Sequence, residues 1–519
     1  MNRWRQHKSA NKPANRLAVP SFHEAPGSWK AWLVKAVASV AVAAALAITY
    51  RLWSNSQTVG LDKPGEENQL SVLDEKKSPP PVLPDEKPIP AKPDEPDTFL
   101  DEFKKEPAPE KQSDINALSD DELEIQFQRL VERGAKIESV KASALANKSD
   151  PEKFKEAIAF GQQIQEQFDK DAARLEKWVA AARRARPNDA VPRWLTGELL
   201  LQVGGEPEEV LPHLRFALGH GLNRPRLRGS LALVYLGMNR FAEALRTIEE
   251  ALDKDGTDRF LWDVFKRAAF NLNQFDRVIQ RLDRVFPTIR PEWAQTMRRE
   301  AEELQARWQA EEQRRRAEAT ADDLPRVRLI IEHRRFARDR DGKQLNTIES
   351  TGREEVILEL FENEAPNTVA NFIELTERKF YDGTRFHLAL PAMLVQGGDP
   401  NTRNADPADH GLGGPGYTIA DEFGLPGARS HFRGSLSMVT APNSAGSQFF
   451  LCLAPQPEMN GHFTVFGRVL QGQDAIDRIT RGRTTRDLGH HGKIIPGDLL
   501  VSAEVVRKRG HEYRAVKKK

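Results

Sequence analysis

The middle of the chain repeats itself every 34 residues. Val210, Ala244 and Val278 hold one position of the repeat, Leu214, Ile248 and Leu282 a second, and Ala217, Ala251 and Val285 a third. Trp194 and Trp262 stand two periods apart. Within each period apolar residues recur at helical spacing, and Glu, Lys, Arg and Ala fill the other faces. A unit of this length forms one helical hairpin, which cannot bury its apolar face alone. Stacking is therefore obligatory, and residues 115–321 are predicted to form a helical array with its core between successive hairpins. The small residues of the series let two helices approach closely, and the larger ones fill the gap between hairpins.

Leu231, Tyr235, Ala244 and Ala251 in the middle unit carry a resemblance to the tetratricopeptide repeats. Leu175, Val179, Ala182 and Pro187 are similar to the second helix of an earlier unit, giving about three units. The resemblance implies a concave face that takes a protein partner, with a scaffold or dimer spacer as the alternative. Residues 294–318 are strongly charged and read as a solvated capping helix. Glu300, Glu302, Glu303, Glu311 and Glu312 interleave with the arginines there, which argues against a nucleic-acid arm. The formal net charge of +1 points the same way.

Ahead of the array the sequence changes character twice. Residues 1–35 are basic, and 36–53 are mostly Ala, Val, Leu and Ile. They read as a cytoplasmic leader and a single-pass transmembrane anchor, with the bulk of the chain extracytoplasmic by the positive-inside rule. A cleaved signal peptide is the rival, since Ala45-Leu46-Ala47 resembles a cleavage site. Residues 54–114 are rich in Pro, Glu and Lys and cannot bury enough apolar surface to fold, so they read as a disordered spacer.

After Pro325 the helical period gives way to period-two strands and turn residues. Strands are expected over 327–331, 355–361, 386–395, 434–438, 448–453, 462–469 and 499–506, with helices at 367–378 and 474–480. Many short strands with two helices predict a closed antiparallel β-barrel whose ends the helices cover, over residues 325–508. A basic tail, 509–519, follows. The single cysteine, Cys452, lies in the apolar run Phe449-Phe450-Leu451-Cys452-Leu453 and reads as a small buried hydrophobe in a strand. His490-His491 has no third ligand at suitable spacing and reads as solvated loop.

The same region carries a family resemblance. Ala365-Pro366-Asn367-Thr368-Val369-Ala370-Asn371-Phe372, Phe380-Tyr381-Asp382-Gly383, Phe386-His387, Val395-Gln396-Gly397-Gly398-Asp399-Pro400, Gly434-Ser435-Leu436-Ser437-Met438, Gly446-Ser447-Gln448-Phe449-Phe450 and Val465-Phe466-Gly467-Arg468-Val469 occur in the order found in the cyclophilin-type peptidyl-prolyl cis-trans isomerases (rotamases). Each block alone is weak; their ordered set is specific. The resemblance implies an eight-stranded barrel with two helices and isomerisation of X–Pro bonds in peptide or protein clients, a role in protein folding.

Such chemistry asks little of a protein. Amide resonance sets a barrier of about 18–20 kcal/mol, and the catalyst need only favour the twisted state. An apolar recess for the pyrrolidine ring and fixed donors near the substrate carbonyl suffice, with no metal or cofactor. By position, Met393, Leu394, Phe450 and Met459 resemble the family's proline pocket, Phe450 being its floor. Gln396 matches the glutamine that contacts substrate. Thr440, Ala441, Gln448 and Phe463 match its remaining substrate-binding positions, and His387 a mainly structural histidine. Three positions depart from the pattern: Leu388 replaces the usual catalytic arginine, Phe463 a histidine or tyrosine, and Glu458 an aromatic residue. Turnover is accordingly expected to be reduced, unless Arg385 or Arg403 reaches into the site. The alternative is a non-catalytic proline-binding or scaffold module.

Overall fold

The computed structural model describes residues 118–518, except 147–150, 203–204, 289, 339–343, 405–408, 441–444 and 480–496. Among the described residues nine helices come first: α1 Asp120–Ala146, α2 Pro151–Ala185, α3 Ala190–Gln202, α4 Pro207–Gly219, α5 Pro225–Gly237, α6 Phe241–Leu252, α7 Arg259–Asn271, α8 Phe275–Val285 and α9 Glu292–Ala321. The 34-residue period of the sequence is also the period of the helices. Helices α4, α6 and α8 begin at that step, as do α5 and α7. Pro207 and Pro225 open their helices, where a fixed φ is favourable and the missing N–H costs nothing. Helix α7 is instead capped by Asp258, whose Oδ1 accepts from Phe260 N–H at 2.7 Å.

Ala217, Ala244, Ala251 and Ala268 are fully buried, as small residues between close helices should be. At Gly229 a Cβ would lie 2.6 Å from the Phe260 ring and 2.7 Å from Leu261, so α5 and α7 touch there only because the side chain is absent. Asn239 and Asn273 end the turns after α5 and α7 with φ of 57° and 56°, a left-handed conformation that asparagine tolerates.

Eleven strands among the described residues follow: β1 Arg326–Arg338, β2 Gln344–Leu360, β3 Thr384–Arg385, β4 Leu388–Leu390, β5 Leu394–Gly397, β6 Thr418–Ile419, β7 Ser435–Met438, β8 Phe449–Cys452, β9 Val465–Gln471, β10 Leu499–Arg507 and β11 Lys517–Lys518. Two helices, α10 Pro366–Glu377 and α11 Gln473–Asp477, lie among them. Nine strands form one antiparallel sheet in the order β3-β10-β1-β2-β9-β7-β8-β5-β4, and β6 pairs with β11. The expected closed barrel is therefore corrected to an open hydrogen-bonded order. Its two edges, β3 and β4, are consecutive in the chain and meet end to end rather than side by side. Residues 386 and 387 cross between them, Phe386 N–H donating to Asp498 O at 3.0 Å and His387 N–H to Gln396 O at 3.1 Å. The expected strand over 386–395 is split by the turn at Pro391–Ala392.

The helical part and the sheet share one continuous apolar core. Phe432, after the loop that precedes β7, sits 4.9 Å edge-on to Trp308 of α9 and 6.2 Å from Phe275 of α8. The Arg429 side chain is 1% exposed and binds Glu311 and Glu318 of α9 together with Glu364, while its guanidinium lies 3.7 Å over the Phe361 ring. Helix α9 is thus a docking element on one face, and the expectation of a merely solvated cap is corrected. Burial of that much charge is possible because three carboxylates surround one guanidinium.

The anchor expected at 36–53, with the leader and spacer around it, lies outside the described residues. Among the described residues no helix is long and apolar enough to cross a membrane. The longest, α2 and α9, carry charge along their whole length. The membrane-anchored, extracytoplasmic placement is withdrawn on that finding.

Candidate functional site

The site is built from the β4–β5 hairpin and the strand beside it. Antiparallel register sets Leu388 opposite Gln396, Gln396 opposite Phe450, and Ser437 opposite Phe450. Side chains that alternate along these strands therefore gather on one face. Leu394, Phe450, Cys452 and Met459 form a compact buried cluster, separate from the main core. Leu388, Leu390, Met393, Val439 and Phe463 pack on it while staying partly exposed. All four residues expected to form the pocket are in this one cluster, with a buried base and a half-exposed rim.

Phe450 is held from two sides. Phe463 meets it edge to face, ring centroids 5.6 Å apart at 87°. His431 stacks parallel to it at 5.8 Å and 8°. His431 is itself fixed: its Nδ1 lies 2.9 Å from Asn460 Oδ1 and its Nε2 3.0 Å from Ser437 Oγ. Burial pulls its pKa down to about 4, so it is a neutral ring near pH 7. Met459 is placed by the short turn Pro457–Met459, whose end is tied by Phe463 N–H donating to Met459 O at 3.2 Å.

Beside the cluster runs a chain of amides. Gln396 Nε2 donates to Gln448 Oε1 at 2.9 Å and lies 3.3 Å from His387 Nε2. Gln448 Nε2 in turn donates to Gly411 O at 3.0 Å and Gly413 O at 2.8 Å. Burial lowers the His387 pKa to about 4, leaving a neutral imidazole whose Nε2 can accept. With its amide nitrogen engaged twice, Gln396 keeps Oε1 as its acceptor, on a side chain that shares a face of the hairpin with Leu388 opposite it. An acceptor fixed in this way suits a peptide N–H.

Thr440 Oγ1 donates to Asp421 Oδ1 at 2.7 Å at the end of the strand segment. Ala441 and His490-His491 lie outside the described residues. Neither arginine considered as a replacement enters the cluster. Arg385 Nε donates to Thr402 O at 3.1 Å, and Arg403 donates to the carbonyls of Asp382 and Phe380. Leu388 packs partly exposed against the cluster, and Glu458 is exposed beside Met459.

A family profile, the cyclophilin type peptidyl-prolyl cis-trans isomerase/CLD, matches residues 345–503. A peptidyl-prolyl cis-trans isomerase of Synechococcus elongatus is 46% identical over 112 residues, covering 21% of this chain and 70% of that protein. Peptidyl-prolyl cis-trans isomerase B of Bacillus subtilis is 41% identical over 136 residues, 26% of this chain and 89% of its own. The chain belongs to the cyclophilin-type isomerases. It is an enzyme of that class by its C-terminal region. A crystal structure of a Cryptosporidium parvum cyclophilin-type isomerase aligns with 36% of this chain and 99% of its own, at 24% identity and a TM-score of 0.27.

Some members of the cyclophilin site were not found from sequence. His431, Asn460 and Ser437 support Phe450 from behind, yet they are 29 residues apart at the extremes. Hydrogen bonds made in the folded chain, His431 to both Asn460 and Ser437, join them. Cys452 is the small buried hydrophobe in a strand that the sequence suggested, lying in β8 within the same cluster as Phe450, and burial pushes its thiol pKa well up. The Phe450–Cys452 alternation is the one signal for it, since residues two apart on a strand share a face.

Proposed function

We propose that the cyclophilin region, residues 325–508, binds X–Pro segments of peptide or protein clients in the Met393, Leu394, Phe450 and Met459 recess and isomerises them slowly. The observation that carries this reading is the separate, half-open apolar cluster with Phe450 clamped at its base. A pyrrolidine ring seated on Phe450 places its preceding peptide bond beside Gln396. Gln396 Oε1 takes a substrate N–H, and Thr440 and Gln448 line the flanking backbone. Holding that ring while favouring the twisted state of the bond over its planar states lowers the barrier without any covalent step.

Leu388 limits the rate. It supplies no donor where the family's arginine stands, and losing one fixed donor commonly costs about 10²–10³ in kcat. The helical region, residues 115–321, is read as a tetratricopeptide-like array that brings clients or a protein partner to the recess. Protein folding is the process that such an enzyme serves. The second reading, a non-catalytic proline-binding module, draws on Leu388 alone.

A protease-coupled assay on a short Xaa–Pro peptide separates the two. We expect turnover above the uncatalysed rate and a gain of about 10²–10³ in Leu388→Arg. Peptide binding without any turnover supports the binding module. Absence of both turnover and binding refutes the recess.

A further inference from the structure

The lip of the recess is a four-residue turn, Leu390-Pro391-Ala392-Met393, closed by Met393 N–H donating to Leu390 O at 3.1 Å. Its tightest residue is Ala392, which has φ of 57° although it carries a Cβ. Such a conformation is disfavoured for alanine and persists only where surroundings fix it. What fixes it comes from the helical array. Ala392 N–H donates to Asn239 Oδ1 at 2.7 Å, and Ala392 O accepts from Asn271 Nδ2 at 3.2 Å. One residue is thus gripped at both its backbone N–H and its carbonyl by side chains over a hundred residues away.

The grip is itself braced. Asn239 Nδ2 donates to Asp477 O at 3.0 Å, and the Asp477 carboxylate pairs with Arg433. Arg433 Nη1 donates to Leu453 O at 3.2 Å, and Leu453 N–H donates to Met393 O at 2.8 Å. Arg433 N–H also reaches Asn273 Oδ1 at 3.4 Å. The bonds run from the array, round the turn, and back to the array. Leu390 and Met393, at the two ends of that turn, are both rim residues of the recess.

We propose that Asn239 and Asn271 are positioning residues for proline binding: the helical array sets the shape of the recess by clamping Ala392. The array is then part of the binding unit and not only a tether for clients. This rests on the isomerase reading above. Loss of the clamp frees the turn to relax to negative φ, which swings Met393 away from Phe450 and weakens binding of the ring.

The test uses the full chain with Asn239→Ala and Asn271→Ala together, assayed for kcat and KM on an Xaa–Pro peptide and for Kd with the same peptide by calorimetry. We expect KM and Kd to rise about three- to tenfold with kcat changed far less. Adding Ala392→Gly to the double variant should return KM toward the wild-type value, because glycine holds this φ without a clamp. A purely structural loss of docking would not be rescued in that way. Arg314→Ala, which removes another bond between α9 and the sheet region, to Gly427 O at 3.0 Å, should leave KM unchanged. Wild-type KM and Kd in a folded double variant overturn the proposal and leave the isomerase reading standing. If the double variant does not fold, Asn271→Ala alone, which keeps the Asn239 bond, decides by the same criterion. A wild-type chain that neither turns over nor binds the peptide removes both.

Discussion

Replacing Arg429 with methionine probes how the two parts of the molecule are held together. The guanidinium is 1% exposed and faces Glu311, Glu318 and Glu364, which are themselves 6%, 13% and 17% exposed. Methionine keeps most of the volume, so the change is chiefly electrostatic. Removing one partner of a buried ion cluster costs about 3–5 kcal/mol, because the opposite charge stays buried and unpaired. Not all three carboxylates are orphaned equally. Glu311 keeps Arg315 at 2.8 Å and Glu318 keeps Arg468 at 3.8 Å. Glu364 has no second ion pair of that kind among the described residues, and burial already raises its pKa. The loss should therefore fall near about 3 kcal/mol at pH 8. As pH falls, Glu364 takes up a proton and the unpaired charge disappears, so the loss should be smaller at pH 5. Urea unfolding followed by tryptophan fluorescence reads this directly, since Trp308 packs on Phe432 at the same junction. A loss below about 0.5 kcal/mol, the scale of a surface change, would refute the argument, as would an equal loss at both pH values.

Phe450→Ala should abolish detectable proline-peptide binding in calorimetry and lower stability by about 3–5 kcal/mol, as large aromatic truncations do; retained binding contradicts the recess. His387 and His431 both titrate near pH 4 when folded, and burial is the leading cause for each. Unfolded, each would titrate near 6.5, so the unfolded state holds more protons between those limits. Stability should thus fall as pH drops from about 6.5 toward 4, by up to about 1.4 kcal/mol per pH unit for each histidine, and the slope contributed by these two should vanish in the His387→Gln, His431→Gln variant.

Much of this was written in residue spacing. The 34-residue step fixed where α4, α6 and α8 begin, because every stacked hairpin must present the same small and large residues to its neighbours. The ordered blocks around Gln396 and Phe450 picked out residues that share one apolar cluster, since strand alternation puts Leu394 and Phe450 on a shared face. What spacing could not supply were contacts made by register or by docking. His431 reaches Phe450 only because β7 lies beside β8. Helix α9 looks solvated by composition, yet Glu311 and Glu318 are drawn in by a single arginine from a distant loop. The anchor expected from an apolar run had composition as its whole support, and the helices described here give it none. Nor does a strand pattern reveal that the sheet's first and last edges meet end to end, because that depends on where residues 386 and 387 cross.

Asn239 and Asn273 occupy equivalent rungs of the helical ladder, yet they grip different parts of the sheet region. The ladder's numbering is thereby locked to the sheet region like teeth on a rack. A hairpin added before Ala190 would lengthen the free end and leave the engagement intact. One inserted between α5 and α8 would carry one tooth past its notch, so length can vary freely only at the end remote from the enzyme.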